Sequence, residues 1–340
     1  MTSQVPLVVN GKPIRVTRGE VLLEAVLGAG IAIPHDCSTG QCETCRVRVY
    51  DGEIDAMGTQ RGDTVLACQA RVSGNAIIEF DAVPVPTKIA GRVSAIQPLS
   101  PDVLEVTVSL ARDFTYLPGQ YVKCMFAGSP ARDYSPTLRS DGTANSDELI
   151  LQIRRIETGV VSAQLGNRIA VGHKVSIHGP FGSAFHRPGE GRIVLVAAGT
   201  GWAPIWAIAR ASRYREPRRE MVVVAGARDP RNLYMRDALA WLAGTGVGHV
   251  VATASGQVAE GVRAGRPTDH LPGLRDSDVV HVAGSPEMVA AVEQLCREAG
   301  ATCHADAFVA SPTRQSFKDK VFGLFFRGGS AEPSSPSASS

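Results

Sequence analysis

The chain has 340 residues, long for one domain and enough for two or three. Hydrophobic residues make up 44% and charged residues 20%, the balance of ordinary globular protein, and a net charge of +2 argues against a nucleic-acid binder. Charge is unevenly spread: residues 1–84 carry 7 Lys+Arg against 10 Asp+Glu, a net −3, which leaves +5 on the remainder. An acidic segment beside a basic one suggests docking within the chain or onto a partner. The N-terminus lacks a basic stretch followed by an apolar one, so no signal peptide is expected. The most apolar run, residues 193–209, is interrupted by Gly199-Thr200-Gly201 and Pro204 and reads as strand, turn and helix instead of a membrane span. A cytoplasmic, monomeric protein without membrane contact is the expectation.

In chain order, residues 5–9 and 14–16 alternate around Asn10-Gly11, a strong hairpin signal. Residues 20–27 have apolar side chains at helical spacing, and Gly28 and Gly30 are expected to end that helix. Cys37, Cys42 and Cys45 follow on one loop, and Cys68 comes from a separate apolar segment. The order C-x4-C-x2-C plus one distant cysteine is the spacing of a plant-type [2Fe–2S] site. Zinc usually takes two C-x2-C pairs, and here the fourth cysteine has no such neighbour. Clustered cysteines without a secretory signal also argue against a disulfide framework. Hairpin, helix and cysteine loop together resemble the β-grasp ferredoxin family over residues 1–84. Glu43 departs from that family, which usually has glycine there.

Residues 81–88 hold two prolines and read as a semi-rigid connector. Alternating apolar segments then fall at 104–110, 120–126 and 149–153, as in a small antiparallel barrel, with a type II turn at Pro118-Gly119-Gln120. Within it stands Arg132-Asp133-Tyr134-Ser135, a cation for pyrophosphate, a ring for stacking and a hydroxyl for a ring nitrogen. Thr158-Gly159-Val160-Val161-Ser162 leads into a short helix expected over 160–165, whose start would turn N–H groups toward an anion. In this order the two elements resemble the flavin site of the ferredoxin–NADP+ reductase superfamily, with Gly179-Pro180-Phe181-Gly182 as a further landmark. The resemblance implies that Arg132 and Ser162 hold phosphate, with Gly159 at the same loop. It also implies that Tyr134 stacks on the flavin and Ser135 approaches its reactive nitrogen. The glycine–serine element favours FAD over FMN.

Residues 193–198 form a continuous apolar run, suited to a strand buried on both faces. Gly199, Thr200 and Gly201 follow, and Pro204 falls in the first turn of an apolar helix reaching about residue 211, a setting for pyrophosphate at a helix N-terminus. Two more strand–helix units are expected: 221–226 with 233–242, and 279–284 with a helix through Cys296. Gly284-x-Pro286-x-Met288 resembles the superfamily's nicotinamide-side loop, although Ala283 stands where cysteine is usual. Arg228 and Asp229 offer both charge signs for the ribose, and the lack of a denser cationic cluster favours NADH, with NADPH possible.

The segment 303–308, containing Asp306-Ala307-Phe308, closely resembles the reductase components of bacterial ring-hydroxylating dioxygenases of the naphthalene type, and the likeness spans about residues 5–310. It implies a multidomain α+β and α/β protein. The parts are a β-grasp ferredoxin domain at 1–84, an antiparallel β-barrel flavin domain at 85–188, a parallel α/β nucleotide-binding domain at 189–312 and a tail at 313–340. It implies electron transfer from NADH through FAD and [2Fe–2S] to a terminal oxygenase or separate ferredoxin, with Phe308 beside the flavin and His304 structural. A reductase for a diiron monooxygenase or deoxysugar dehydratase, and a redox-sensing subunit, carry the same motifs. A zinc-and-nucleotide structural module is the other alternative. In the tail, Phe317, Val321, Leu324 and Phe325 with Lys318, Lys320 and Arg327 form an amphipathic basic pattern, and residues 331–340 are expected to be disordered. Cys124, Cys296 and Cys303 read as small buried apolar residues.

Overall fold

The hairpin opens the structure as its turn chemistry demands. In the computed structural model, which describes residues 3–35, 37–40, 44–256 and 259–309, β1 (Gln4–Val9) pairs antiparallel with β2 (Lys12–Thr17). Asn10 and Gly11 both take positive φ, 48° and 77°, as a two-residue hairpin turn requires. Helix α1 (Leu22–Gly28) buries Leu22, Leu23, Ala25 and Val26. Gly28 is its last residue and not its terminator, while Gly30 is the left-handed residue just beyond, at φ 73°. Strands β3 (Arg46–Asp55), β4 (Thr64–Leu66) and β5 (Arg71–Glu79) complete a sheet of order β2-β1-β5-β3-β4, with β1 and β5 parallel at its centre. Leu7, Leu22, Val26, Val47 and Ile78 form its core, giving the β-grasp arrangement.

Seven strands follow: β6 (Thr87–Pro98), β7 (Val103–Leu110), β8 (Tyr121–Phe126), β9 (Arg132–Tyr134), β10 (Pro136–Thr137), β11 (Glu148–Arg154) and β12 (Lys174–Phe181). Their order is β10-β11-β7-β6-β12-β8-β9, and every recorded pairing is antiparallel. The two edge strands, β9 and β10, are separated in sequence by Ser135 alone, so the sheet curls until its edges meet. Closure removes the exposed edges an open sheet would present. Val106, Val108, Phe126, Leu149, Leu151 and Ile177 fill the interior. The turn into β8 is as read: Gly119 has φ 105° and Gln120 N donates to Leu117 O at 2.9 Å. The helix expected over 160–165 is only a 3-10 turn at Ser162–Gln164.

The last sheet contains β13 (Ile193–Ala198), β14 (Met221–Ala227), β15 (His249–Ala254), β16 (Arg263–Ala264), β17 (Val279–Gly284) and β18 (Thr302–Ala307), with helices α2 (Trp202–Arg215), α3 (Arg236–Gly244) and α4 (Pro286–Ala299). All pairings are parallel, in the order β16-β15-β14-β13-β17-β18. Alternate residues of β13 point to opposite faces. Ile193 and Leu195 pack with Trp202, Trp206, Leu239 and Leu242 of α2 and α3, while Val194 and Val196 pack with Val289 and Val292 of α4. Helix α3 begins later than the pattern 233–242 suggests, because a 3-10 turn at Pro230–Asn232 precedes it. Helix α4 has Ser285 accepting from Met288 N, Pro286 at its first position and Gly300 left-handed beyond its end.

Met1–Phe308 form one compact unit. The tail pattern at 317–327 and the segment 331–340 lie outside the described residues, as do Cys42 and Glu43. Among the described residues no helix is long and apolar enough to cross a membrane.

A buried ion pair anchors the start of the parallel sheet. Arg192 meets Asp278 through Nε–Oδ1 at 3.0 Å and Nη2–Oδ2 at 2.6 Å, with both side chains buried. Asp278→Ala would leave the guanidinium with only Gly273 O at 2.9 Å and the more distant, exposed Glu220 at 3.8 Å, and should cost about 3 kcal/mol in urea unfolding. Asp63→Ala, which removes an exposed partner of Arg48, should cost about 1 kcal/mol or less.

Candidate functional site

Strand order locates the centre of the site. From β13 the chain runs outward to β14, β15 and β16 on one side, and β17 and β18 lie on the other. The β13/β17 boundary is therefore the switch point at whose carboxyl end open α/β sheets bind ligands. Both glycine motifs end there, 199–201 after β13 and Gly284 after β17. Gly201 lies so close to β17 that a Cβ would meet Ala283 O at 2.1 Å. Gly199 has φ 56°, and a Cβ on it would meet nothing within 4 Å, so the space above this turn is open. Thr200 sits between them, and Pro204 is buried in the first turn of α2. Gly284 has φ 147°, and a Cβ there would meet Met288 Cε at 3.0 Å and Ala198 O at 3.1 Å. Phe308, half-buried, donates its N–H to Gly284 O at 2.8 Å and so stands at the same end of the sheet.

The barrel brings its seam to this end. Ser135, 6% exposed, lies 3.5 Å from Asp306 Oδ2 of β18, a link across 171 positions. Burial pushes the Asp306 carboxyl up to about 7, with the Ser135 hydroxyl opposing and Asp133 adding to the rise. Tyr134 packs half-buried against the barrel core, and burial raises its phenol. Arg132, half-buried, donates from Nη1 to Ala131 O at 2.8 Å. At the phosphate-side loop, Ser162 is 8% exposed and its hydroxyl accepts from Ile156 N at 3.2 Å. A Cβ on Gly159 would meet that hydroxyl at 2.3 Å, so glycine is what permits the turn. Ser162 thus spends its acceptor on the loop itself.

Asp229, one of the two charges expected beside the ribose, is already engaged by a neighbour. It caps the 3-10 turn, accepts from Arg231 N at 2.9 Å and pairs with Arg231 Nη2 at 2.6 Å. The Arg231 side chain, then its backbone N–H, holds the carboxyl below its ordinary range. Arg228, next to it, has its carbonyl engaged by Gly256 N at 2.8 Å.

Two joints were not visible in the motifs. The Tyr234 hydroxyl lies 2.9 Å from Gln152 Oε1 of the barrel and 3.3 Å from Gly199 O. Asn232 Nδ2 donates to Asp102 Oδ2 at 2.8 Å. They fasten the segment after β14 to the barrel, and only Asn-x-Tyr in an otherwise ordinary loop marks it. His304, half-buried, packs against His281 with ring centroids 4.8 Å apart, and desolvation followed by the Arg187 charge pushes it down to about 3.

Of the four spaced cysteines, Cys37 is half-buried and Cys45 and Cys68 are buried. Ser38 and Gly40 take positive φ, 54° and 81°, to curl the loop. Thr39 N donates to Cys37 Sγ at 3.4 Å, and Gln69 Nε2 approaches Cys68 Sγ at 3.6 Å. Amide donors aimed at sulfur suit thiolates carrying negative charge, so these residues fit an iron–sulfur cluster. Among the described residues, which leave out Cys42, no group of three or more such donors is placed to hold a single metal ion.

A β-grasp unit with clustered thiolates, a closed barrel and a parallel sheet meeting at a switch point define an iron–sulfur flavoprotein oxidoreductase. Sequence comparison agrees along the chain: residues 7–73 match the 2Fe-2S iron-sulfur cluster binding domain, 90–186 the oxidoreductase FAD-binding domain, and 195–294 the oxidoreductase NAD-binding domain. The reductase component of the naphthalene 1,2-dioxygenase system of Pseudomonas putida is 31% identical over 324 residues, 88% of this chain and 96% of that protein. The reductase subunit of an aromatic O-demethylase from an Amycolatopsis species is 33% identical over 77% of this chain and 84% of its own. The crystal structure of an Amycolatopsis cytochrome P450 reductase superposes with a TM-score of 0.66 at 28% identity, covering 90% of this chain and 99% of that one. This chain belongs to the family of ferredoxin–NAD(P)+ reductase components of oxygenase systems. The cofactors of that family are [2Fe–2S], FAD and NAD(H), as the three domain matches require.

The raised Asp306 carboxyl has a signed consequence. Its folded value, about 7, lies above the ordinary 3.8, so the unfolded chain ionises first. Stability should fall as pH rises from about 4 through about 7. Asp306→Asn should lose this slope, gaining on the wild type across that window and running parallel to it above, as followed by thermal unfolding at a series of pH values.

Proposed function

We propose that this chain takes hydride from NADH and delivers single electrons to a terminal oxygenase, or to a separate ferredoxin serving one, in the hydroxylation of an aromatic ring. The observation that carries this reading is the meeting at the barrel seam. Ser135 lies on one side, and Asp306, Gly284 and Phe308 lie on the other. Bound FAD supplies the exchange between two-electron and one-electron chemistry, and the [2Fe–2S] cluster supplies outward transfer of one electron at a time.

The chain's own residues position and tune. In this reading Cys37, Cys42, Cys45 and Cys68 are the cluster ligands. Arg132 offers its charge to the flavin pyrophosphate, Tyr134 its flat ring, and Ser135 its hydroxyl at the reacting edge. Gly159 and Ser162 shape the loop so that backbone amides meet phosphate, and the serine O–H joins them as a donor while its oxygen accepts from Ile156 N. Gly199, Thr200, Gly201 and Pro204 form the turn and first helical residues that receive the nicotinamide dinucleotide's pyrophosphate. Gly284 and Met288 border the nicotinamide, and Phe308 covers the flavin until it arrives. Asp229 already holds Arg231, which leaves Arg228 as a single cation on the ribose side, short of the denser cationic cluster that a 2′-phosphate calls for and so in keeping with NADH. The proposed parts are those of the sequence reading: 1–84 for ferredoxin, 85–188 for flavin, 189–312 for nucleotide and 313–340 as tail. In this reading one polypeptide carries the residues for all three cofactors and acts as a monomer in the cytoplasm.

A cytochrome P450 as acceptor is the second reading, favoured by the likeness to the Amycolatopsis reductase over nearly the whole chain. Reconstitution with each class of terminal component separates the two. Cys68→Ser should end delivery to any external protein and leave NADH-dependent ferricyanide reduction largely intact. Parallel loss of both activities would contradict the assigned division of labour.

A further inference from the structure

The ligand loop touches the barrel directly. Gly182 N donates to Thr44 Oγ1 at 3.2 Å, a contact across 138 positions. Thr44 is 6% exposed and immediately precedes Cys45, itself 3% exposed. Gly182 lies just past β12, at φ 95°, so close to β8 that a Cβ would meet the Tyr121 ring at 3.0 Å. Tyr121 in turn lies 5.7 Å, centroid to centroid, from Phe181. The neighbouring Val122 pairs with Tyr134 on β9, whose next residue is the seam serine. Strand order β12-β8-β9 thus puts the Gly182 end of the barrel two strand spacings, about 10 Å, from the Tyr134–Ser135 edge.

A second contact holds this register. Arg187 meets Asp81, at the end of the ferredoxin sheet, through Nε at 2.8 Å and Nη2 at 2.7 Å. Its Nη1 is tied to Ser183 O at 2.9 Å and Phe185 O at 3.1 Å, and lies 3.4 Å from His304 Nδ1 on β18. The guanidinium also lies 3.9 Å from the Phe185 ring centroid. One side chain therefore joins the connector at Asp81, the loop after β12 and strand β18. Arg61 to Glu293, at 3.3 Å and partly exposed, adds a third and weaker tie.

We propose that electrons pass from the barrel to the ferredoxin unit across the Thr44–Gly182 contact, and that Arg187 is the positioning residue that keeps the two surfaces in register. This rests on the electron-transfer reading above. For each NADH oxidised to NAD+ and a proton, two electrons cross the contact in succession and leave the chain on two one-electron acceptors. The Gly182 amide does more than fasten the loop: it links the backbone of the barrel turn to the residue bonded to Cys45.

The test uses the full-length holoprotein and four forms: wild type, Thr44→Val, Thr44→Ser and Arg187→Gln. Anaerobic rapid mixing with NADH follows flavin and cluster reduction separately, and hydrogen–deuterium exchange follows the amides of residues 179–187. Loss of the Thr44 bond, or of the Arg187 tie to Asp81, should slow cluster reduction at least about fivefold in Thr44→Val and Arg187→Gln, and speed exchange in that segment by a similar factor. Thr44→Ser, which keeps the hydroxyl, should behave as wild type, and Arg187→Gln should reduce its flavin at the wild-type rate. Unchanged cluster reduction in both Thr44→Val and Arg187→Gln overturns the proposal. If Thr44→Val does not retain its cluster, Arg187→Gln decides alone. If wild type fails to reduce its cluster with NADH, the functional reading fails instead.

Discussion

The Thr137 hydroxyl, 1% exposed, donates to the Ala203 carbonyl at 2.7 Å, and the geometry of the site hangs on that buried bond. Thr137 belongs to β10, the strand that closes the barrel, and Ala203 lies in the first turn of α2, directly after the glycine turn of β13. The bond therefore fixes the barrel seam against the ligand end of the parallel sheet. Trp206 reinforces it, donating from Nε1 to Arg139 O at 2.9 Å while stacking on Trp202 at 5.7 Å. Two residues before Thr137 stands Ser135, so any slip here would move the hydroxyl away from Asp306. A buried bond of this kind costs more to break than it contributes when formed, because the Thr137 hydroxyl would be left in the interior without this partner.

Around that anchor the molecule spends its close contacts where ligands must approach. Gly201 and Gly284 exist as glycines because backbone or side-chain atoms lie within about 3 Å of where a Cβ would stand. Tyr234 and Asn232 then tie the loop after β14 to the barrel from the other side. The outcome is a junction of backbone and hydrogen-bonded polar groups, with the Asp306 carboxyl raised by burial where it meets Ser135.

Much of the fold could be read from local signals. The hairpin at Asn10-Gly11, the apolar run of β13 and the serine–proline start of α4 are short-range features, and each appears where the residues indicated. What escaped was non-local. Strand β18, Thr-Cys-His-Ala-Asp-Ala, has no apolar alternation, and its identity comes from pairing with β17 at the sheet edge. Strand β15 is mostly half-buried and follows a glycine-rich stretch, which blurs its pattern. The helix read at 160–165 shrank to one turn because its residues pack into the barrel core, where Val161 and Leu165 are buried. The cofactor motifs do not show which side chains are already occupied. Asp229 and Ser162 are each engaged by neighbours two and six positions away. The Ser135–Asp306 and Thr44–Gly182 contacts span more than a hundred positions and no spacing rule announces them.

The connector between β5 and β6 runs only from Phe80 to Pro86, with prolines at 84 and 86. A leash this short and stiff confines the ferredoxin unit to a small volume above the barrel, equivalent to a local concentration on the order of millimolar. At such a concentration the few bonds at Thr44, Asp81 and Arg61 suffice to seat it. The same few bonds are cheap to release. A carrier that is weakly seated and closely leashed can lean away to meet an acceptor and return before the next reducing equivalent is ready, so turnover need not wait on diffusion between separate proteins.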